Sequence, residues 1–375
     1  MAVDKFFTSE SASGILLMGV TVLALVVANS PMAPLYFDGL HTYAAGLSLH
    51  HWINDGLMAL FFLLVGLEIR HELGSGQLST WAGRALPGLA ALGGMVAPAV
   101  IFAAFNWNGA LHGWAIPTAT DIAFSLGVLA MLGSRIPTSL KIFLTALAII
   151  DDLLAVLIIA LFYGAGLSPL FLGLAGGTLA VLFAMNRMGM TRLWPYMLLG
   201  AVLWFFVLKS GIHATIAGVL LAFVVPDGHG DESPARKLEY GLANSVAYGI
   251  VPLFAFANAG VALAGISFAT FLQPITFGVA AGLFIGKQIG ILGACWLGVK
   301  LGIAKLPVRA SWTQVYGVSL LCGIGFTISL FIGALAFSDP GNQAAAKLGV
   351  LTGSLVSGLL GWLVLRQAGA KRVAA

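Results

Sequence analysis

The chain has 375 residues; only 9% are Asp, Glu, Lys or Arg, while 59% are hydrophobic and 48 are glycine. A soluble domain carries about a quarter charged residues, so this composition excludes a water-soluble fold, and its apolar content excludes a disordered chain. The net charge of +4 comes from single charges between apolar runs rather than from a basic block, which argues against a nucleic-acid partner.

Apolar runs broken by Gly, Pro or charge predict an all-α integral membrane protein with twelve spans, at ~20 apolar residues per span. They fall near 12–30, 51–70, 85–105, 112–132, 139–163, 169–186, 193–208, 212–226, 240–262, 274–299, 313–338 and 345–366. Continuous rather than alternating hydrophobicity excludes a β-barrel. The first run has only Lys5 before it, beside Asp4 and Glu10, and reads as a retained helix rather than a cleaved leader. No soluble domain interrupts the pattern, so residues 1–375 read as one membrane domain. Cys295 and Cys322 lie inside apolar runs and read as small buried hydrophobes.

The cations test this topology. With both termini cytoplasmic, the inner side holds Lys5, Arg70, Arg84, Arg135, Lys141, Arg187, Arg192, Arg236, Lys237, Lys300, Lys305, Arg309, Arg366, Lys371 and Arg372. The outer side holds only Lys209 and Lys347, and Lys287 lies within a span. This asymmetry supports an even span count with both termini inside.

Ionisable groups at membrane depth are costly, so each marks a candidate site. The run Leu147-Ala148-Ile149-Ile150-Asp151-Asp152-Leu153 puts two carboxylates in mid-span. Unpaired, they would cost roughly 5–7 kcal/mol on insertion scales. Adjacent helical residues diverge by about 100°, so one carboxylate can face water while the other meets a protein partner. A pair that only ties neighbouring helices together is the plainer alternative. In Ile116-Pro117-Thr118-Ala119-Thr120-Asp121-Ile122, Pro117 removes a backbone donor beside three polar side chains. An interrupted helix at this depth must be buried in protein or line water; a simple proline kink capped by Asp121 competes with that reading.

Cys322-Gly323-Ile324-Gly325-Phe326-Thr327-Ile328-Ser329 offers a second candidate break. Interruptions at matching places in two halves point to a transporter site, which makes 85–163 and 274–366 two inverted three-helix repeats. Lys287 is about ten positions from either span end, too deep to snorkel, and needs a carboxylate or helix C-terminal carbonyls nearby. Softer signals are Asp55, the inner cluster Glu68, Arg70, His71 and Glu72, and His213 at the start of a short span. The first reads as interfacial, the cluster as an anchor as readily as a sensor, and the histidine as a cap as readily as a functional group.

These motifs together resemble the NhaA-type bacterial sodium/proton antiporters, along nearly the full length. The resemblance rests on residues 119–124, 147–152, 210–215, 254–260 and 322–326, with Lys287. It implies two discontinuous helices crossing at mid-membrane. Asp121 would offset the positive half-helix N-termini there, and Lys287 the negative C-termini. Asp152 would be the main sodium ligand and a proton carrier. Asp151 would be the second carrier, alternately paired with Lys287, and Thr120 an assisting ligand. Glu68, Glu72, Glu239, Arg236, Lys237 and His213 would serve the pH response.

The implied activity is electrogenic, pH-dependent exchange of Na+ or Li+ for H+ across the bacterial inner membrane, by alternating access and without a cofactor or enzymatic step. The implied partners are these ions, the lipid bilayer and a second copy in a homodimer. The sequence departs from the family at His71, where a second basic residue is expected, and at Tyr240, where a histidine is common. The 30–51 connector is also short for the outer β-hairpin that joins family dimers. On the residues alone, a cation channel and an intramembrane aspartyl protease remain alternatives. A channel would want a ring of carboxylates or carbonyls, and a protease would want its two aspartates on different helices.

Overall fold

A computed structural model describes residues 10–164, 166–227 and 233–373. Lys5, counted above among the inner cations, lies outside them. The chain folds into two compact units. The first holds residues up to 33 with 77–155 and 258–375; the second holds 34–76 and 156–257.

In chain order, the helices of the first unit are α1 (Glu10–Ala28), α4 (Trp81–Asn106), α5 (Ile122–Ala130), the inner part of α6 (Thr138–Phe162), α11 (Pro274–Lys300), α12 (Trp312–Leu321), α13 (Phe326–Ala336) and α14 (Pro340–Val373). A tight 3₁₀ segment, Leu111–Thr118, precedes α5. The second unit contributes α2 (Ala33–His41), α3 (Leu49–Gly74), the end of α6, α7 (Pro169–Arg187), α8 (Leu193–Ser210), α9 (Ile216–Val224) and most of α10 (Pro234–Ala259). Short widened turns interrupt α3 at Trp52–Leu57, α10 at Val246–Ile250 and α11 at Gly282–Gly286.

Among the described residues, nine helices are long and apolar enough to cross a membrane, or eleven if each of two broken pairs counts as one span. The run read from sequence at 212–226 folds as the nine-residue α9, about 14 Å long at 1.5 Å per residue and too short to cross alone. One broken pair is α12 and α13, bent by 43° about residues 322–325. Within the span read near 112–132, where Pro117 suggests an interruption, the chain forms the 3₁₀ segment, an extended stretch at Ala119 and Asp121, and α5. Pro117 accounts for the tight turn: its fixed φ suits a 3₁₀ segment, and it lacks the N–H a regular helix would use.

The connector 30–51 also holds more structure than its length suggests. Besides α2 it contains a β-hairpin, with Tyr43 opposite Ser48 and Ala44 opposite Leu47. Two residues per strand and a two-residue turn suffice. Ala45 (φ 51°) and Gly46 (φ 83°) take the positive φ that such a tight hairpin turn demands.

Packing in the second unit centres on buried Leu63, Leu67, Leu182, Tyr196, Leu203 and Leu221. In the first, α4 and α11 cross with backbones almost touching. A Cβ at Gly290 would run into the Gly93 carbonyl and fall 3.0 Å from Ala97 Cβ. Small residues permit this approach, and in lipid, where no hydrophobic drive joins helices, close packing supplies much of the attraction. Gly290→Val is therefore expected to destabilise the protein by about 1–3 kcal/mol through overpacking. The control Gly293→Ala, with open space around its Cβ, should leave stability unchanged or slightly raised. Thermal unfolding in detergent checks both.

Candidate functional site

The first unit gathers its polar side chains where its two interrupted helices meet. Breaking a helix frees carbonyls at one end and N–H groups at the other, and without water each needs a partner. The partners come from the facing segment and, for the Gly325 N–H, from Ser354 on α14. Ser125 Oγ donates to the Leu321 carbonyl at 3.0 Å, and the Asp121 N–H donates to the Ile324 carbonyl at 2.6 Å. Ser329 Oγ donates to the Ile116 carbonyl at 2.6 Å, and Ser354 Oγ accepts from the Gly325 N–H at 3.2 Å.

Asp121, 1% exposed, serves two helix starts at once. Its Oδ1 accepts from the Phe124 N–H at 2.9 Å, capping α5, and its Oδ2 accepts from the Thr327 N–H at 2.9 Å, near the start of α13. A carboxylate between two helix N-termini is favoured by both partial positive charges.

Next to this crossing lies the buried ion pair. Lys287 Nζ donates to Asp151 Oδ2 at 2.7 Å and to Thr120 Oγ1 at 3.0 Å. The Thr120 hydroxyl has one hydrogen to give, to Asp151 Oδ2 at 2.6 Å or to the Cys322 carbonyl at 3.0 Å. Lys287 and Thr120 are fully buried, and Asp151 and Asp152 are each 3% exposed. Asp151 Oδ2 is engaged by the ammonium, and Oδ1 is buried without a protein hydrogen-bond partner. Sequence reasoning singled out Thr120, Asp121, Asp151, Asp152 and Lys287, and the structure brings all five into this region. It did not single out Ser125 or Ser354. A serine in an apolar helix is common, and only the facing carbonyl or N–H gives it a task.

The remaining predicted residues lie in the second unit. Glu68 lies within electrostatic range of both Glu72 and Glu239. Arg236 pairs with Glu239 at 2.7 Å, donates to the Tyr240 hydroxyl at 2.7 Å and lies 4.7 Å from the centre of that ring. Lys237 is exposed. His213 does not join this group. Its Nε2 lies 2.7 Å from the Tyr163 carbonyl, and its charged neighbour is Asp55. Arg70, read from sequence only as part of an interfacial cluster, reaches the carbonyls of Ala222 (3.0 Å) and Val225 and lies 3.5 Å from Asp227. It thus caps the C-terminus of the short α9, a contact that spans 152 positions of sequence.

Comparison with known proteins identifies the family. The family model described as Na+/H+ antiporter 1 matches residues 4–365. A Na(+)/H(+) antiporter NhaA of Nitrobacter hamburgensis is 60% identical over 369 residues, covering 96% of this chain and 90% of its own. One from Mesorhizobium japonicum is 57% identical over 380 residues, covering 99% and 96%. A Na(+)/H(+) antiporter NhaA 2 of Pseudomonas savastanoi pv. phaseolicola is 57% identical over 375 residues, covering 98% and 96%. With a family model matched along nearly its whole length and such relatives, this multi-pass chain belongs to the Na+/H+ antiporter 1 family of membrane transporters.

Proposed function

We propose that this chain exchanges Na+ or Li+ for H+ across the bacterial inner membrane, electrogenically and under pH control, by alternating access. The observation that carries the reading is the buried ion pair beside two broken helices: Lys287 on Asp151 Oδ2, with Asp152 next along the helix and Asp151 Oδ1 without a protein hydrogen bond. Asp152 is the main ion ligand and a proton carrier, Asp151 the second carrier, and Thr120 an assisting ligand. Sodium carries a positive charge, as the ammonium does. An ion that binds Asp151 therefore competes with Lys287, and a proton competes with both for the same oxygens. A channel needs no such mutual exclusion.

The rest of the reading follows from this frame. Residues 85–163 and 274–366 act as two inverted repeats, each a long helix, an interrupted helix and a second long helix. The interrupted helices cross at mid-membrane, and α9 counts as the twelfth span, paired with protein rather than lipid. Asp121 compensates the half-helix N-termini; Lys287, close to the Cys322 carbonyl through Thr120, compensates the C-termini. Both chain ends lie in the cytoplasm, as the cation asymmetry indicates. The cluster of Glu68, Glu72, Glu239, Arg236 and Lys237 tunes the pH response from the inner face, and His213 contributes from its own position near Asp55. The hairpin at residues 43–48 supports a homodimer.

Three outcomes test this reading. Asp152→Asn keeps the size of the side chain but removes its charge, so the purified variant in liposomes should fold and insert yet lose sodium-driven proton movement. Near-normal exchange by that variant would sink the assignment. Lys287→Ala leaves Asp151 unpaired at a cost of roughly 3–5 kcal/mol. Its melting temperature should fall clearly below that of the wild type, with Lys287→Arg in between; equal melting temperatures would dissolve the pair. Because sodium and protons share the carboxylates, lowering the pH should raise the apparent sodium KM steeply while the maximal rate changes less. Exchange measured at limiting and saturating sodium over several pH values reads this directly. A flat KM with a falling maximal rate points instead to a separate gate.

A further inference from the structure

Lys287 follows directly on the widened turn Gly282–Gly286, and its own N–H donates to the Gly282 carbonyl, five residues back. Such a turn carries one residue more than a regular α-helical turn. Closing it by that residue would rotate everything beyond it by about 100°. The Lys287 ammonium would then leave Asp151. The seat of the buried ion pair thus depends on a local register that a regular helix does not keep. The turn fits where it does because two glycines lack side chains. A Cβ at Gly286 would fall 2.6 Å from Pro98 Cα, and one at Gly282 would fall 2.7 Å from Pro117 Cβ.

One hydrogen-bonded chain spans this turn. Gln288 Nε2 donates to the Phe284 carbonyl, inside the turn, at 2.6 Å. Gln288 Oε1 accepts from the Tyr316 hydroxyl at 2.9 Å. Tyr316 belongs to α12, the helix whose last carbonyls meet Ser125 and Thr120. A polar link one residue from Lys287 therefore joins the turn that orients the ammonium to the helix that ends beside it. Mere interhelical adhesion is the plainer role for a Tyr–Gln pair in a membrane. It gives no reason for the bond to end on a carbonyl within the widened turn.

We infer that Gln288 and Tyr316 are positioning residues for Lys287, a clamp that holds the widened turn in the register that seats the ammonium on Asp151 Oδ2. This rests on the antiport reading. A sodium ion that uses Asp151 must displace the seated ammonium, so the clamp sets how hard that displacement is. Loosening the clamp makes it easier.

The test is sodium-driven proton movement in proteoliposomes at one fixed pH with sodium varied. It compares the wild type, Tyr316→Phe, Gln288→Leu and the double variant, with Asp152→Asn as the inactive control. Each single variant is expected to lower the apparent sodium KM about threefold, the change that corresponds to one interhelical bond of about 0.6 kcal/mol. The maximal rate should change by less. The double variant should match the singles, because both break the same chain. Tyr316→Phe removes a single oxygen from a half-buried ring, so it carries the test if Gln288→Leu folds poorly. A lower melting temperature with an unchanged or raised KM means adhesion only and overturns the clamp while leaving the antiport reading intact. A wild type that moves no protons when sodium is added brings down the antiport reading, and the clamp with it.

Discussion

Backbone polar groups released where helices break must find partners without water, and that constraint organises the first unit. The interruption before α5 and the one between α12 and α13 each expose carbonyls and N–H groups inside the unit. Neither break could satisfy them alone. Facing each other, they exchange bonds: hydroxyls of Ser125 and Ser329 go to carbonyls of the opposite segment, and both oxygens of Asp121 go to N–H groups. Each break thus supplies what the other lacks. Partly satisfied, the same arrangement would be costlier than two plain helices, since an orphaned buried donor or acceptor forfeits its full solvation.

The ion pair inherits its character from this crossing. Lys287 and Asp151 sit where burial would forbid either charge alone, and Thr120 connects them to the end of α12. A buried salt bridge is poor value as a source of stability, because desolvation takes back most of the attraction. On the proposed reading it serves as a switch: a cation or proton that takes the Asp151 carboxylate displaces the ammonium.

The second unit works by different physics. Its core is apolar, and Arg236 bridges Glu239 and Tyr240. Arg70 closes the C-terminus of the short α9 with contacts to two carbonyls. Tyr240 holds the guanidinium through both its hydroxyl and its ring.

Much of this was legible in the chain itself. Composition required a membrane protein and the apolar runs located most of the long helices, because lipid imposes one requirement on every span and that requirement is local. The expense of burying charge likewise marked Asp121, Asp151, Asp152 and Lys287 without any structure. What the sequence left undecided depends on partners far away in the chain. The pairing of Lys287 with Asp151 spans 136 positions, and the bond from Ser125 to the Leu321 carbonyl spans 196. His213, grouped with the glutamates by resemblance, lies instead near Asp55 and Tyr163. The widened turn before Lys287 has no periodicity signal, since one extra residue leaves an all-apolar run looking the same. Gly282 and Gly286 reveal their purpose only against Pro98 and Pro117. Hydrophobicity is a property of each residue and can be read in order. Register, capping and charge pairing are properties of residues that meet, and only the tertiary structure decides which ones do.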